Sequence, residues 1–137
     1  MSAAGGDDAV KSGEPGVLLV DDEPRLRGQL GALLGDYGIA VVGEAGNGRE
    51  GVELACRLRP DVVLMDMRMP ELDGIEATRQ LSQLVPSTAV IVLSAYDDPA
   101  LMTEARQAGA HVYLVKGCRA GELVEVIERA AAGDRDG

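Results

Sequence analysis

Two acids, Asp21 and Asp22, stand directly after the apolar run Val17-Leu18-Leu19-Val20, and a third, Asp66, directly follows Val62-Val63-Leu64-Met65. A short aliphatic run bounded by turn residues reads as a strand buried on both faces, so each acid marks where a strand leaves the core. Ligands of an open α/β sheet bind beyond the carboxyl ends of its strands. If the two strands are neighbours, the carboxylates converge on one crevice. Two unit charges about 4 Å apart repel by roughly 1 kcal/mol in water and about 4 kcal/mol at the effective dielectric of a partly buried site. Such a cluster calls for a cation. Mg²⁺ (or Mn²⁺) suits it, being a hard ion that takes a few carboxylates together with water and phosphate oxygens.

The elements that must position these acids follow from periodicity. From Gly16 onward, apolar runs alternate with amphipathic segments, the pattern of a parallel sheet covered by helices. Strands are predicted at 17–20, 39–43, 61–65, 89–93 and 112–115. Helix 1 has Pro24 in its first turn, Leu26, Leu30, Leu33, Leu34 and Tyr37 at helical spacing, and Gly38 as its stop. Helix 2 starts at Asn47 with Glu50 three residues on, turns Val52, Ala55 and Leu58 inward, and closes at Pro60. Helix 3 runs from about Asp73 to Pro86 with Ile75, Leu81 and Leu84 inward. Helix 4 opens at Asp98-Pro99, ends at Gly109 and has little large apolar surface to pack, so it should be the loosest. Helix 5 carries Leu123, Val124, Ile127 and Ala130 or Ala131 inward, with Glu122, Glu125, Glu128 and Arg129 as a solvated face. Strict alternation with right-handed crossovers implies a doubly wound α/β fold, a flavodoxin-like (βα)5 arrangement whose five-stranded parallel sheet has the order 2-1-3-4-5. Strands one and three are then adjacent, and Asp21, Asp22 and Asp66 meet at the switch point between them.

Composition narrows the function. The 137 residues, 46% hydrophobic and 26% charged, suit one globular domain. A formal charge of −10 argues against nucleic-acid binding by this segment, which would need clustered Lys and Arg. Cys56 and Cys118 lack metal-ligand spacing and read as free thiols of a reducing, cytoplasmic setting. Residues 1–15 read as a disordered lead-in without a signal peptide, 16–133 as the domain, and 134–137 as a tail or the start of a linker. No segment approaches the length of a membrane span.

Four motifs in order carry a resemblance: Val-Asp-Asp-Glu at 20–23, Met-Asp-Met-Arg-Met-Pro at 65–70 with Asp73-Gly74, Leu-Ser-Ala at 93–95, and Tyr-Leu-Val-Lys at 113–116. Over about residues 16 to 133 the chain resembles the receiver domain of bacterial two-component response regulators, and the wording around Asp66 and Lys116 is most like the NarL-type subfamily. The resemblance implies that Asp66 is the phosphoacceptor, attacking the phosphohistidine of a sensor histidine kinase to become an aspartyl phosphate. It makes Asp22 a direct Mg²⁺ ligand, Asp21 a ligand directly or through water, and the backbone carbonyl of Arg68 the last protein ligand. Lys116 would pair with Asp66 and then with a phosphoryl oxygen. Ser94 would offer its hydroxyl to another, beside the small Ala95. Tyr113 would be the aromatic that turns inward on switching, biasing a surface of helix 4, strand 5 and helix 5. Arg68 and Tyr96 fall where the family lines the mouth of the site, and Gly117 stands where many members carry proline.

The resemblance further implies transcriptional control through a DNA-binding domain absent from this chain, or a stand-alone receiver acting by protein–protein contact. It implies no turnover of an external substrate, and it makes helices 1, 4 and 5 the candidate homodimer surfaces. The Asp21–Asp22 pair also reads as a cap for helix 1, Glu23 as a first-turn acid favoured by the helix dipole, and His111 as structural. A phosphohydrolase of the haloacid dehalogenase type would want an acid two residues after the nucleophile, where Arg68 stands. A flavin carrier of the same fold would want a phosphate-cradling loop after strand one, and that loop is acidic.

Overall fold

The computed structural model describes residues 15–67 and 73–133. Five parallel strands, β1 (Gly16–Val20), β2 (Ala40–Ala45), β3 (Val62–Asp66), β4 (Ala89–Ser94) and β5 (Val112–Val115), form one sheet of order β2-β1-β3-β4-β5. The helices between and after them are α1 (Pro24–Asp36), α2 (Gly48–Leu58), α3 (Gly74–Leu84), α4 (Pro99–Ala108) and α5 (Ala120–Ala131). Side chains on successive strand residues point to opposite faces, so each continuous apolar run feeds two cores. Val17, Leu19, Val62, Leu64 and Ile91 pack with Leu34 of α1 and Leu123, Val124 and Ile127 of α5. Leu18, Val20, Val63, Met65, Val90 and Val92 pack on the other face with Val52 and Ala55 of α2, Ile75 and Leu81 of α3, and Ala105 and Ala108 of α4.

The termini of the helices behave as their side chains dictate. Asn47 Oδ1 accepts the Glu50 N–H at 2.8 Å, while Glu50 Oε1 accepts the Gly46 N–H at 2.9 Å. Asp73 and Asp98 cap α3 and α4 by accepting the Glu76 and Ala100 N–H groups, each at 2.9 Å.

The structure differs from the pattern reading at identifiable places. β3 and β4 each run one residue further than expected, so Asp66 and Ser94 are the last strand residues rather than the first loop residues. Leu84 is 54% exposed, because it closes α3 and the next residue, Val85, turns into the core in its place. Leu58 is 41% exposed, since it covers the bare backbone of Gly43 on the edge strand β2 rather than entering the interior. α4 packs through small residues as its composition implies, but α1 is buried as lightly: Leu34 alone of its stripe is enclosed, and Leu26 and Tyr37 are exposed.

One close approach fixes the path of the chain below the site. A Cβ built on Gly74 would lie 2.1 Å from the carbonyl oxygen of Asp66 and 2.9 Å from Cα of Met67. Only glycine allows α3 to begin this near the end of β3, where the Gly74 N–H donates to the Met67 carbonyl at 2.9 Å. Gly74→Ala should therefore lower stability by about 3 kcal/mol through overpacking against backbone. By contrast Gly121→Ala, in α5 with nothing near its Cβ position, should raise it by about 1 kcal/mol through helix propensity. Urea unfolding midpoints of the two variants check both signs.

Candidate functional site

Strand pairing brings the acids together. β1 and β3 are neighbours, with Val20 opposite Met65, so the residues that follow each meet at the carboxyl edge. The Asp21 N–H continues the ladder by donating to the Ala45 carbonyl at the end of β2, at 3.0 Å. Asp21, Asp22 and Asp66 each offer a carboxylate oxygen to one group whose atoms lie within 4.8 Å of one another. Asp66 is 9% exposed, Asp21 is half-buried and Asp22 is exposed. Asp21 Oδ1 accepts the Glu23 N–H at 2.9 Å, which closes a turn ahead of α1 rather than capping it: the helix has no side-chain cap, so the expected capping role of the Asp21–Asp22 pair is not found. Glu23 is the N-cap of α1 and points no ligand atom into the group.

Lys116, just after β5, faces the acids from across the crevice. Its Nζ lies 3.1 Å from Asp66 Oδ1 and 3.7 Å from Asp21 Oδ2. Its backbone N–H donates to the Ser94 carbonyl at 2.6 Å, which ties the end of β5 to the end of β4. The next residue, Gly117, has φ of +95°, a conformation that a proline ring excludes.

Charge balance decides what the site can hold. Three carboxylates against one ammonium leave a net −2, matched by a single divalent cation. All donors are hard oxygens, the chemistry that a Mg²⁺-type ion prefers. Burial pushes the Asp66 carboxyl above its ordinary value, the nearby Lys116 ammonium opposes that rise, the Asp21 charge adds to it and the Met67 N–H works against it.

Ser94 is buried, and its Oγ accepts the Tyr96 N–H at 3.0 Å. Tyr113 is buried at 6% exposure, and its hydroxyl donates to the Tyr96 carbonyl at 2.7 Å. The two residues expected to move together are thus attached to the N–H and the carbonyl of one residue, while the Tyr96 side chain is exposed. Arg68 lies outside the described residues. His111 is structural as expected: its Nδ1 accepts the Val90 N–H at 2.9 Å, and its own N–H donates to the Val90 carbonyl at 2.8 Å. Cys56 and Cys118 are free thiols.

Sequence reasoning missed Arg27. Its Nη1 donates to the Asp21 carbonyl at 2.6 Å and its Nε to Glu44 Oε1 at 3.1 Å, joining the loop after β1 to β2. A signal existed, since a cation near the N-terminus of a helix opposes the helix dipole and implies a specific partner.

The family model of the response regulator receiver domain matches residues 17–128. The response regulator GacA of Pseudomonas aeruginosa is 41% identical over 120 residues, covering 87% of this chain and 56% of that protein. The chemotaxis protein CheY of Thermotoga maritima is 39% identical over 115 residues, covering 84% of this chain and 96% of that one. Among solved structures, the signal receiver domain of the putative response regulator NarL from Mycobacterium tuberculosis superposes with a TM-score of 0.83 at 34% identity, covering 88% of this chain and 98% of that one. The chain spans little more than half the length of the transcriptional regulators it matches.

Because burial raises the Asp66 pKa above 3.8, stability carried by its protonated form is present in full below that value and is lost as pH rises through the raised one. In metal-free buffer at pH 7, Asp66→Asn should unfold at higher urea than the unaltered chain, and the gap should shrink as pH falls toward 3.8. A gap that widens on acidification would reverse the sign assigned to burial.

Proposed function

The chain belongs to the response regulator receiver domain family, and from that premise we propose that Asp66 accepts a phosphoryl group from the phosphohistidine of a sensor kinase and that the modified domain switches its surface to control an output. The observation that carries this reading is the group of three carboxylates within 4.8 Å, with the Lys116 ammonium 3.1 Å from Asp66. An Asp66 carboxylate oxygen attacks phosphorus, a P–O bond forms as the P–N bond breaks, and the electron pair of that bond leaves with the imidazole nitrogen. Asp21, Asp22, Asp66 and the Arg68 backbone carbonyl would hold Mg²⁺ (or Mn²⁺). When bound, such an ion offsets the negative charge of the transferring group and aligns it with the attacking oxygen. Lys116 faces Asp66 and would pair with a phosphoryl oxygen once the group is on that carboxylate.

Ser94 would turn its hydroxyl from the Tyr96 N–H toward the phosphoryl group. That releases the Tyr96 N–H, while the Tyr96 carbonyl leads to Tyr113. The change would bias the surface of α4, β5 and α5. Receivers are signalling modules, so no turnover of an external substrate is proposed. The domain is taken as residues 16–133.

Relatives described as transcriptional regulators support control of transcription through a DNA-binding region beyond the matched one, and the −10 charge supports no direct nucleic-acid contact by this segment. A second reading, a stand-alone receiver acting by protein contact, is favoured by the 96% coverage of the chemotaxis relative. Among the described residues no helix is long and apolar enough to cross a membrane, and we assign the chain to the cytoplasm. Homodimerisation through α1, α4 or α5 is supported by the exposed Leu26 beside the groove that α1 and α5 share.

Incubation with acetyl phosphate and Mg²⁺ should add one phosphoryl group to the intact mass, absent in Asp66→Asn and absent with EDTA. Release of phosphate from many esters would point to a hydrolase instead. Tyr113→Ala should still be phosphorylated on Asp66 but lose the phosphorylation-dependent resonance shifts of α4 and β5. Retention of those shifts removes Tyr113 from the switch.

A further inference from the structure

We propose that Arg27 is a positioning residue for the divalent-cation site, acting through the backbone of Asp21 without touching the ion or the phosphoryl group. The proposal rests on the reading of the site as a Mg²⁺-dependent phosphoacceptor and deepens it.

Asp21 is held by every polar group it has apart from one carboxylate oxygen. Its N–H donates to the Ala45 carbonyl at 3.0 Å, its carbonyl accepts Arg27 Nη1 at 2.6 Å, and its Oδ1 accepts the Glu23 N–H at 2.9 Å. Oδ2 remains, facing Lys116 at 3.7 Å. Of these restraints, the Arg27 contact alone comes from a side chain, and the same guanidinium reaches Glu44 Oε1 at 3.1 Å near the end of β2. Arg27 therefore spans the gap between the loop that carries Asp21 and Asp22 and the side chain of Glu44 on β2. Its side chain is only 18% exposed, which limits competition from water.

The chemistry explains why arginine serves here. One planar fork binds two acceptors in fixed directions, which a lysine ammonium on a flexible stem does not reproduce. Glu44 also offsets the guanidinium charge, so the clamp does not add a full positive charge beside a site that must attract a cation. Partners that orient metal ligands from behind commonly change metal affinity by about 10- to 100-fold when replaced.

The test uses the full chain and Mg²⁺ alone, titrated calorimetrically at low ionic strength, with the amide resonances of Asp21 and Asp22 followed in parallel. Arg27→Lys, which keeps the charge, should weaken Mg²⁺ binding about tenfold, with a nearly unchanged urea midpoint. Its phosphorylation by acetyl phosphate should be slow at limiting Mg²⁺ and return to the unaltered rate at saturating Mg²⁺. Glu44→Gln should weaken Mg²⁺ by a smaller factor, and it carries the test if the arginine variant does not fold. Mg²⁺ binding by both variants as tight as that of the unaltered chain overturns the role of Arg27 alone, as does a rate loss that saturating Mg²⁺ fails to restore. Failure of the unaltered chain to bind Mg²⁺ overturns the reading of the site together with it.

Discussion

Uncompensated negative charge at the carboxyl edge of the sheet is the constraint on which the rest of this structure depends. Three carboxylates crowd within 4.8 Å, and Lys116 supplies one opposing charge. Like charges at that spacing cost a few kcal/mol at the dielectric of a partly buried site, so the fold must hold them together against their own repulsion. It does so with apolar mass. β1 and β3, which deliver the acids, are buried along their whole length and carry core on both faces. The site is thus a small region of crowded like charge on a well-packed support, and that charge is what a dication would relieve.

The support reaches the acids mainly through backbone. The Asp21 peptide is gripped on both sides, Gly74 lets α3 press against the carbonyl of Asp66, and Lys116 is tied to β4 through its own N–H. Of the Asp21 carboxylate, only Oδ1 is bound by a backbone N–H, that of Glu23, and Oδ2 faces Lys116.

On the opposite side of Asp66 the connections are sparser. Ser94 and Tyr113 communicate through one residue, Tyr96, whose N–H and carbonyl each take one of them. α4, which follows that loop, buries only Ala105 and Ala108 completely. A helix that encloses only small side chains, with Leu101 and Met102 partly buried beside them, has less to lose on rearrangement than one anchored by enclosed leucines.

Sequence alone determined the order and type of the elements, the strand-end placement of Asp66, Ser94 and Lys116, and hence the family. It could do so because buried parallel strands leave uninterrupted apolar runs, and the sheet order then follows from right-handed crossovers. The cap residues Asn47 and Asp98 were legible because they act on N–H groups two or three positions away, and the same short reach lets Asp73, read only as the start of helix 3, cap it. Tertiary structure decided what depends on groups far apart in the chain: the Arg27 bridge from Asp21 to Glu44, the shared attachment of Ser94 and Tyr113 to Tyr96, and the outward turn of Leu58 and Leu84. Local periodicity reports which way a side chain points from its own helix. Whether a neighbour waits there, as for Leu34, or solvent, as for Leu84, is settled only when the other layers close over it.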